Sequence, residues 1–92
     1  MLYMVIERFR KGDWRAVGER FARDGRMIPE GSGAEYVKSW MMEGGEGCFQ
    51  VMRAPSREAL DGWMERWKDL VEFEVVEVRE SGEWWGKKKE GH

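Results

Sequence analysis

From residue 2 to residue 9 the chain alternates. Leu2, Met4 and Ile6 fall on one side and Tyr3, Val5, Glu7 and Phe9 on the other, the period of a strand. Gly12-Asp13 breaks the alternation, and Asp13 is placed to cap a helix. Trp14, Val17, Gly18 and Phe21 then recur at helical spacing among charges, and Gly25 closes the helix. Residues 27–34, with Pro29, Gly31 and Gly33, read as a loop. The stretches 36–42 and 48–53 are strand-like, and Glu43-Gly44-Gly45-Glu46 between them is a hairpin signal. Ala54-Pro55 ends the second, Ser56 is an N-cap, and Leu60, Trp63, Met64 and Trp67 form a helical stripe. Gly62 inside that stripe costs about 1 kcal/mol relative to Ala, so packing must hold it. Residues 71–78, rich in Val and Phe, close the pattern.

The order is β-α-β-β-α-β, an α+β ferredoxin-like unit with a four-stranded antiparallel sheet and two helices on one face. Residues 1–80 form this single domain and residues 81–92 a C-terminal tail carrying Trp84-Trp85 and Lys87-Lys88-Lys89. The apolar content of that tail points to Trp84-Trp85 folding back onto a groove of its own subunit or a partner's.

A turn centred on Gly44-Gly45 sets Met41 opposite Cys48, Trp40 opposite Phe49, Ser39 opposite Gln50, Lys38 opposite Val51 and Val37 opposite Met52. Trp40, Phe49 and Val51, joined by Met4, Ile6, Phe73 and Val75, are expected under the helices, with Lys38 at the rim. The opposite side then carries Tyr3, Val5, Glu7, Val37, Ser39, Met41, Cys48, Gln50, Met52, Glu74, Val76 and Val78. That surface is too apolar for water, so a homodimer through the open sheet face, a dimeric α/β barrel, is expected.

Composition narrows the chemistry. The 92 residues are 41% hydrophobic, including six Trp, four Phe and two Tyr, which is core material and excludes a disordered chain. No apolar run reaches the roughly 18–20 residues of a membrane span. A net charge of −2 gives no general attraction to nucleic acid. The β-α-β-β-α-β order is shared with RNA-binding sheets, but in the expected register Cys48 and Gln50 occupy the positions where such sheets stack bases on rings.

A single cysteine, Cys48, excludes an internal disulfide and a thiol-based zinc site within one chain. The one histidine, His92, is terminal, so no imidazole-assisted nucleophile is expected, and haem, which needs an axial ligand, is not expected either. No cofactor and no metal follow from these residues. The N-terminus lacks the layout of a signal peptide, which points to a cytoplasmic protein. Asn and Thr are absent and charges abundant, a pattern shared by thermophiles and GC-rich genomes.

Several short stretches bear a resemblance. Val5-Ile6-Glu7-Arg8-Phe9, Gly25-Arg26-Met27, Ser39-Trp40, Cys48-Phe49-Gln50, Trp63 with Trp67-Lys68-Asp69-Leu70, and Phe73-Glu74-Val75 resemble the prokaryotic family described as domain of unknown function 3303. The likeness covers most of residues 1–80 and departs at Ser32-Gly33-Ala34-Glu35 and at the Trp84-Trp85 tail. It implies membership of the dimeric α/β-barrel group. The family has no established activity, so it transfers no catalytic residue.

Glu7, Ser39, Gln50 and Glu74 are the candidate polar group. Two carboxylates and an amide in a half-apolar cleft raise a carboxyl pKa and supply a general base, with Glu7 or Glu74 in that role. The alternative is a hydrogen-bonded network that fixes the register of the dimer. Ser39, Trp40, Cys48 and Gln50 are the candidate ligand-binding residues, with Cys48 read as buried filler rather than a redox thiol. The expected function is binding of a small apolar or aromatic ligand between sheet and helices. The alternative, drawn from related barrels, is a cofactor-independent monooxygenase or isomerase using a glutamate base.

Overall fold

The computed structural model describes the backbone of residues 1–90 and the side chains of residues 1–87; His92 lies outside the described residues. Strand β1 (Leu2–Phe9) runs through a short 3₁₀ turn (Arg10–Gly12) into helix α1 (Trp14–Asp24). Strands β2 (Glu35–Met41) and β3 (Gly47–Arg53) form a hairpin. A 3₁₀ turn (Arg57–Leu60), helix α2 (Asp61–Glu65), strand β4 (Val71–Val78) and helix α3 (Ser81–Glu90) complete the chain. The strands lie in the order β2-β3-β1-β4, and β1 pairs antiparallel with both β3 and β4. This is the α+β, ferredoxin-like arrangement that the strand–helix order predicts.

Local chemistry accounts for the boundaries. The Asp13 carboxylate accepts a hydrogen bond from the Ala16 N–H at 3.1 Å and starts α1. Gly25, at φ 69°, ends it in a backbone region that side chains disfavour. The Ser56 hydroxyl accepts from the Ala59 N–H and opens the second helical segment. The long stripe from Leu60 to Trp67 is realised as a 3₁₀ turn and a short α-helix rather than one continuous helix. At Gly62 a Cβ would press on the Pro29 ring, so the glycine lets the preceding loop seat against α2.

The β2–β3 register matches the expected pairs from Met41–Cys48 to Lys38–Val51. Beyond Lys38 the ladder shifts at Val37, so Tyr36 rather than Val37 stands opposite Met52.

The assignment of faces is corrected. The core consists of Tyr3, Val5, Phe9, Met52, Leu60, Trp63, Trp67 and Val71 with their neighbours, so the helical side covers the Tyr3–Val5–Glu7 face. Trp40, Phe49, Val51, Met4 and Ile6 are on the open face, where Trp40 is 50% and Phe49 40% exposed. Two physical causes explain the inversion. Rings from α2 and the turn after it, Trp63 and Trp67, supply the bulk that Trp40 and Phe49 were expected to supply. In β4 the expected faces hold, with Phe73 and Val75 on the covered side and Glu74 on the open one, but Val5 pairs with Val75 and Glu7 with Phe73, so β1 is in the opposite phase to the one expected.

The open face therefore carries rings after all, and missing stacking positions are no argument against RNA. The segment expected as a tail is helical, and Trp84 and Trp85, 47% and 68% exposed, are not buried against the chain. Among the described residues no helix is long and apolar enough to cross a membrane.

Candidate functional site

Helix α1 is amphipathic yet contributes no buried residue. Val17 in the middle of its stripe packs against the core, while Trp14 and Phe21 towards its ends remain 47% and 46% exposed. Trp14 abuts the hairpin turn at Gly45. Further along, Arg20 makes a bidentate pair with Asp69, both contacts at 2.7 Å, and its guanidinium stacks over Trp67. That pair pulls the Asp69 carboxyl down to about 2, chiefly through the Arg20 hydrogen bonds.

The space beneath α1 is a cleft of about 380 Å³. Rings from three directions wall it: Trp14 and Phe21 from α1, Trp63 and Trp67 from α2 and the turn after it, Phe9 and Phe73 from the sheet. Gly18 leaves open space in the middle of the α1 stripe, with nothing within 4 Å of where a Cβ would stand. A cleft of this size and lining belongs to the range that holds small organic molecules.

The floor is polar. Glu7 stands between Cys48 and Phe73 in the two ladders of β1, and Ser39 pairs with Gln50 one row away. Burial pushes the Glu7 carboxyl up to about 7, against the opposing pull of the Arg26 charge. Burial and then the Glu7 charge push the Cys48 thiol up to about 11, opposed by hydrogen bonds to Ser39 and the Trp40 backbone and by Arg26. The Ser39 and Tyr36 hydroxyls share a hydrogen bond of 2.9 Å. The Gln50 amide donates to the Met52 thioether at 3.1 Å, a weak acceptor.

The cleft thus gathers Glu7, Ser39, Cys48 and Gln50 from the expected residues. Trp40 and Glu74 do not join them: both lie on the open face, where the Arg8 guanidinium donates to Glu74 at 3.1 Å. Sequence reasoning did not single out Arg26 as a cleft residue, and it read the rings of both helical stripes as core. The available signal was Gly18, a residue without a side chain in the middle of the α1 stripe. Among the described residues no group of three or more His, Cys, Asp or Glu side chains is arranged to hold a metal ion.

A family model matches residues 1–91. The chain belongs to the family described as domain of unknown function 3303. The match extends through α3, beyond the stretch where the short motifs resemble the family. A crystal structure of a protein from Agrobacterium tumefaciens shares the fold, with a TM-score of 0.53 and 14% identity over 88% of this chain and 96% of that one. No curated protein matches the chain. Within this family, the cleft under α1 is where the chain's polar and aromatic residues converge.

Proposed function

We propose that this member of the family binds a small apolar or aromatic molecule in the cleft between α1 and the sheet. The observation that carries the reading is the α1 stripe, whose half-exposed rings overhang a polar floor across a space of about 380 Å³. A helix needed only for stability would bury its stripe, since each large side chain buried contributes about 1.5–3 kcal/mol.

The test uses Gly18. Gly18→Leu adds bulk to the cleft at a position where a Cβ meets nothing within 4 Å, and it improves helix propensity by roughly 1 kcal/mol. Calorimetric titration with naphthamide, a flat neutral probe, is expected to show saturable binding to the wild type and none to Gly18→Leu, whose melting temperature rises. Equal binding by both proteins contradicts the reading, as does a wild type that binds neither this probe nor its charged isosteres.

Glu7 favours a second reading. A buried carboxyl raised to about 7 is matched to proton abstraction near neutral pH, as in an isomerase or cofactor-independent monooxygenase. Glu74, on the other face, has no part in it.

The open face supports a homodimer as the partner assembly. Trp40 pairs with Phe49, Phe49 with Ile6, and Val51 with Met4, giving a continuous apolar patch across three strands. Its flanking cations Arg8 and Arg10 are paired with Glu74 and Glu72 and Lys38 lies over the Trp40 ring, so the face is mainly apolar and suits a second copy better than a polyanion.

A further inference from the structure

Arg26 follows Gly25 at the end of α1, and the backbone around it is held in an uncommon shape. Gly25 has φ 69° and Met27, a residue with a side chain, has φ 58°. The surrounding structure enforces it. The Trp67 indole N–H donates to the Arg26 carbonyl at 2.8 Å, and Arg66 donates to the Met27 carbonyl at 2.9 Å. Non-glycine residues in this region carry a cost of order 1–3 kcal/mol, and such sites concentrate where a side chain must be aimed.

The aimed side chain lines the cleft. Its guanidinium lies over the Tyr36 ring at 3.4 Å and near the Phe21 ring at 5.0 Å, and its charge acts on both Glu7 and Cys48. Among the described residues no carboxylate forms an ion pair with it, although eight other such pairs occur on this chain. A second donor in the wall is unsatisfied: Trp63, 3% exposed, has an indole N–H with no acceptor among the described residues. Gln50 donates only to sulfur. The cleft wall thus holds a cation without a carboxylate partner and a buried indole N–H without an acceptor.

We infer that the ligand of this cleft is an apolar or aromatic molecule with an anionic head, a carboxylate, which Arg26 anchors. This rests on the small-molecule reading above and names its ligand class. Guanidinium and carboxylate match as a planar, bidentate pair, and the Tyr36 and Phe21 rings against the guanidinium hold its plane in place. Glu7 beside the head takes the proton that relieves like-charge repulsion and then donates a hydrogen bond.

The experiment compares isosteres on the full chain: naphthoate, neutral naphthamide and cationic naphthylmethylamine, by calorimetric titration. Naphthoate is expected to bind at least tenfold more tightly than naphthamide. Arg26→Gln brings the two within about twofold while keeping naphthamide binding, and Arg26→Lys restores part of the preference. Naphthamide binding as tightly as naphthoate, or the amine binding best, overturns the anion assignment and leaves the cleft as a ligand site. Failure of all three to bind removes the cleft reading itself, and the assignment with it.

Discussion

Glu7 stands opposite Cys48 in the β1–β3 ladder, a carboxyl group and a thiol side by side on the covered face of the sheet. Neighbouring strands put such pairs about 5 Å apart, close enough for each to feel the other's charge where water is excluded. Burial makes each resist ionisation, and the Glu7 charge raises the thiol further; the close approach of the two strands is built into the backbone. A Cβ at Gly47 would collide with the Glu7 carbonyl oxygen.

The first consequence concerns stability against pH. Glu7 has its carboxyl raised from 4.5 to about 7 in the folded chain. Below pH 4.5 both states carry the proton; as pH rises toward 7 only the unfolded state gives it up. Stability from this group is thus full below about pH 4.5 and is lost by pH 7, a total of about 3 kcal/mol. Urea unfolding at pH 5 and pH 8 should show the loss in wild type and a much smaller one in Glu7→Gln, which stays neutral. A wild type equally stable at both pH values, once its exposed carboxylates are matched by the variant, contradicts it. Asp69 acts in a separate window: held at about 2, its contribution is present above 3.8 and is lost only as pH falls toward 2.

The thiol gives a kinetic version of the same relationship. With Cys48 raised to about 11, the thiolate at pH 8 is on the order of a thousandth of the total. Labelling of the folded protein with iodoacetamide should run at least about a hundredfold slower than labelling of the urea-unfolded chain. Glu7→Gln, which removes the neighbouring charge, should speed it. Labelling of the folded wild type at the free-thiol rate would show that Cys48 is neither buried nor paired as described.

The open face predicts assembly. Light scattering after size exclusion should report twice the chain mass at micromolar concentration. Phe49→Glu, placing a charge in the middle of the apolar patch, should give a monomer that keeps its far-ultraviolet spectrum. A wild-type monomer at these concentrations ends the dimer proposal.

Most of the architecture is legible in the sequence because it depends on local signals. Asp13, Gly25, Ser56 and the Gly44-Gly45 turn are chemical punctuation, and each sits where the structure uses it. Grouping Tyr3, Val5 and Glu7 with Ser39, Cys48 and Gln50 also follows from alternation and the hairpin register. What alternation does not encode is which side of a two-faced sheet receives the helices. Both sides of this one are apolar, and docking of Leu60, Trp63 and Trp67 decides between them. Glu74 lies on the open face as expected; its separation from Glu7 comes from the β1–β4 register, a long-range pairing with no turn to set it, which turns Glu7 to the covered side with Phe73. Arg26 escaped notice for a related reason. Its aim depends on hydrogen bonds from Arg66 and Trp67, forty residues further along the chain.

The tryptophans supply the most direct test of the cleft. Trp14, Trp63 and Trp67 line it, Trp40 lies on the open sheet face, and Trp84 and Trp85 belong to α3. Each gives its own indole N–H signal in a nitrogen-edited NMR spectrum, so one titration with naphthamide reads all three regions at once. The account predicts that the Trp14, Trp63 and Trp67 signals shift together along a single saturating curve while Trp40, Trp84 and Trp85 stay in place. Shifts confined to Trp40 or to the α3 pair, with the cleft signals unmoved, would contradict it.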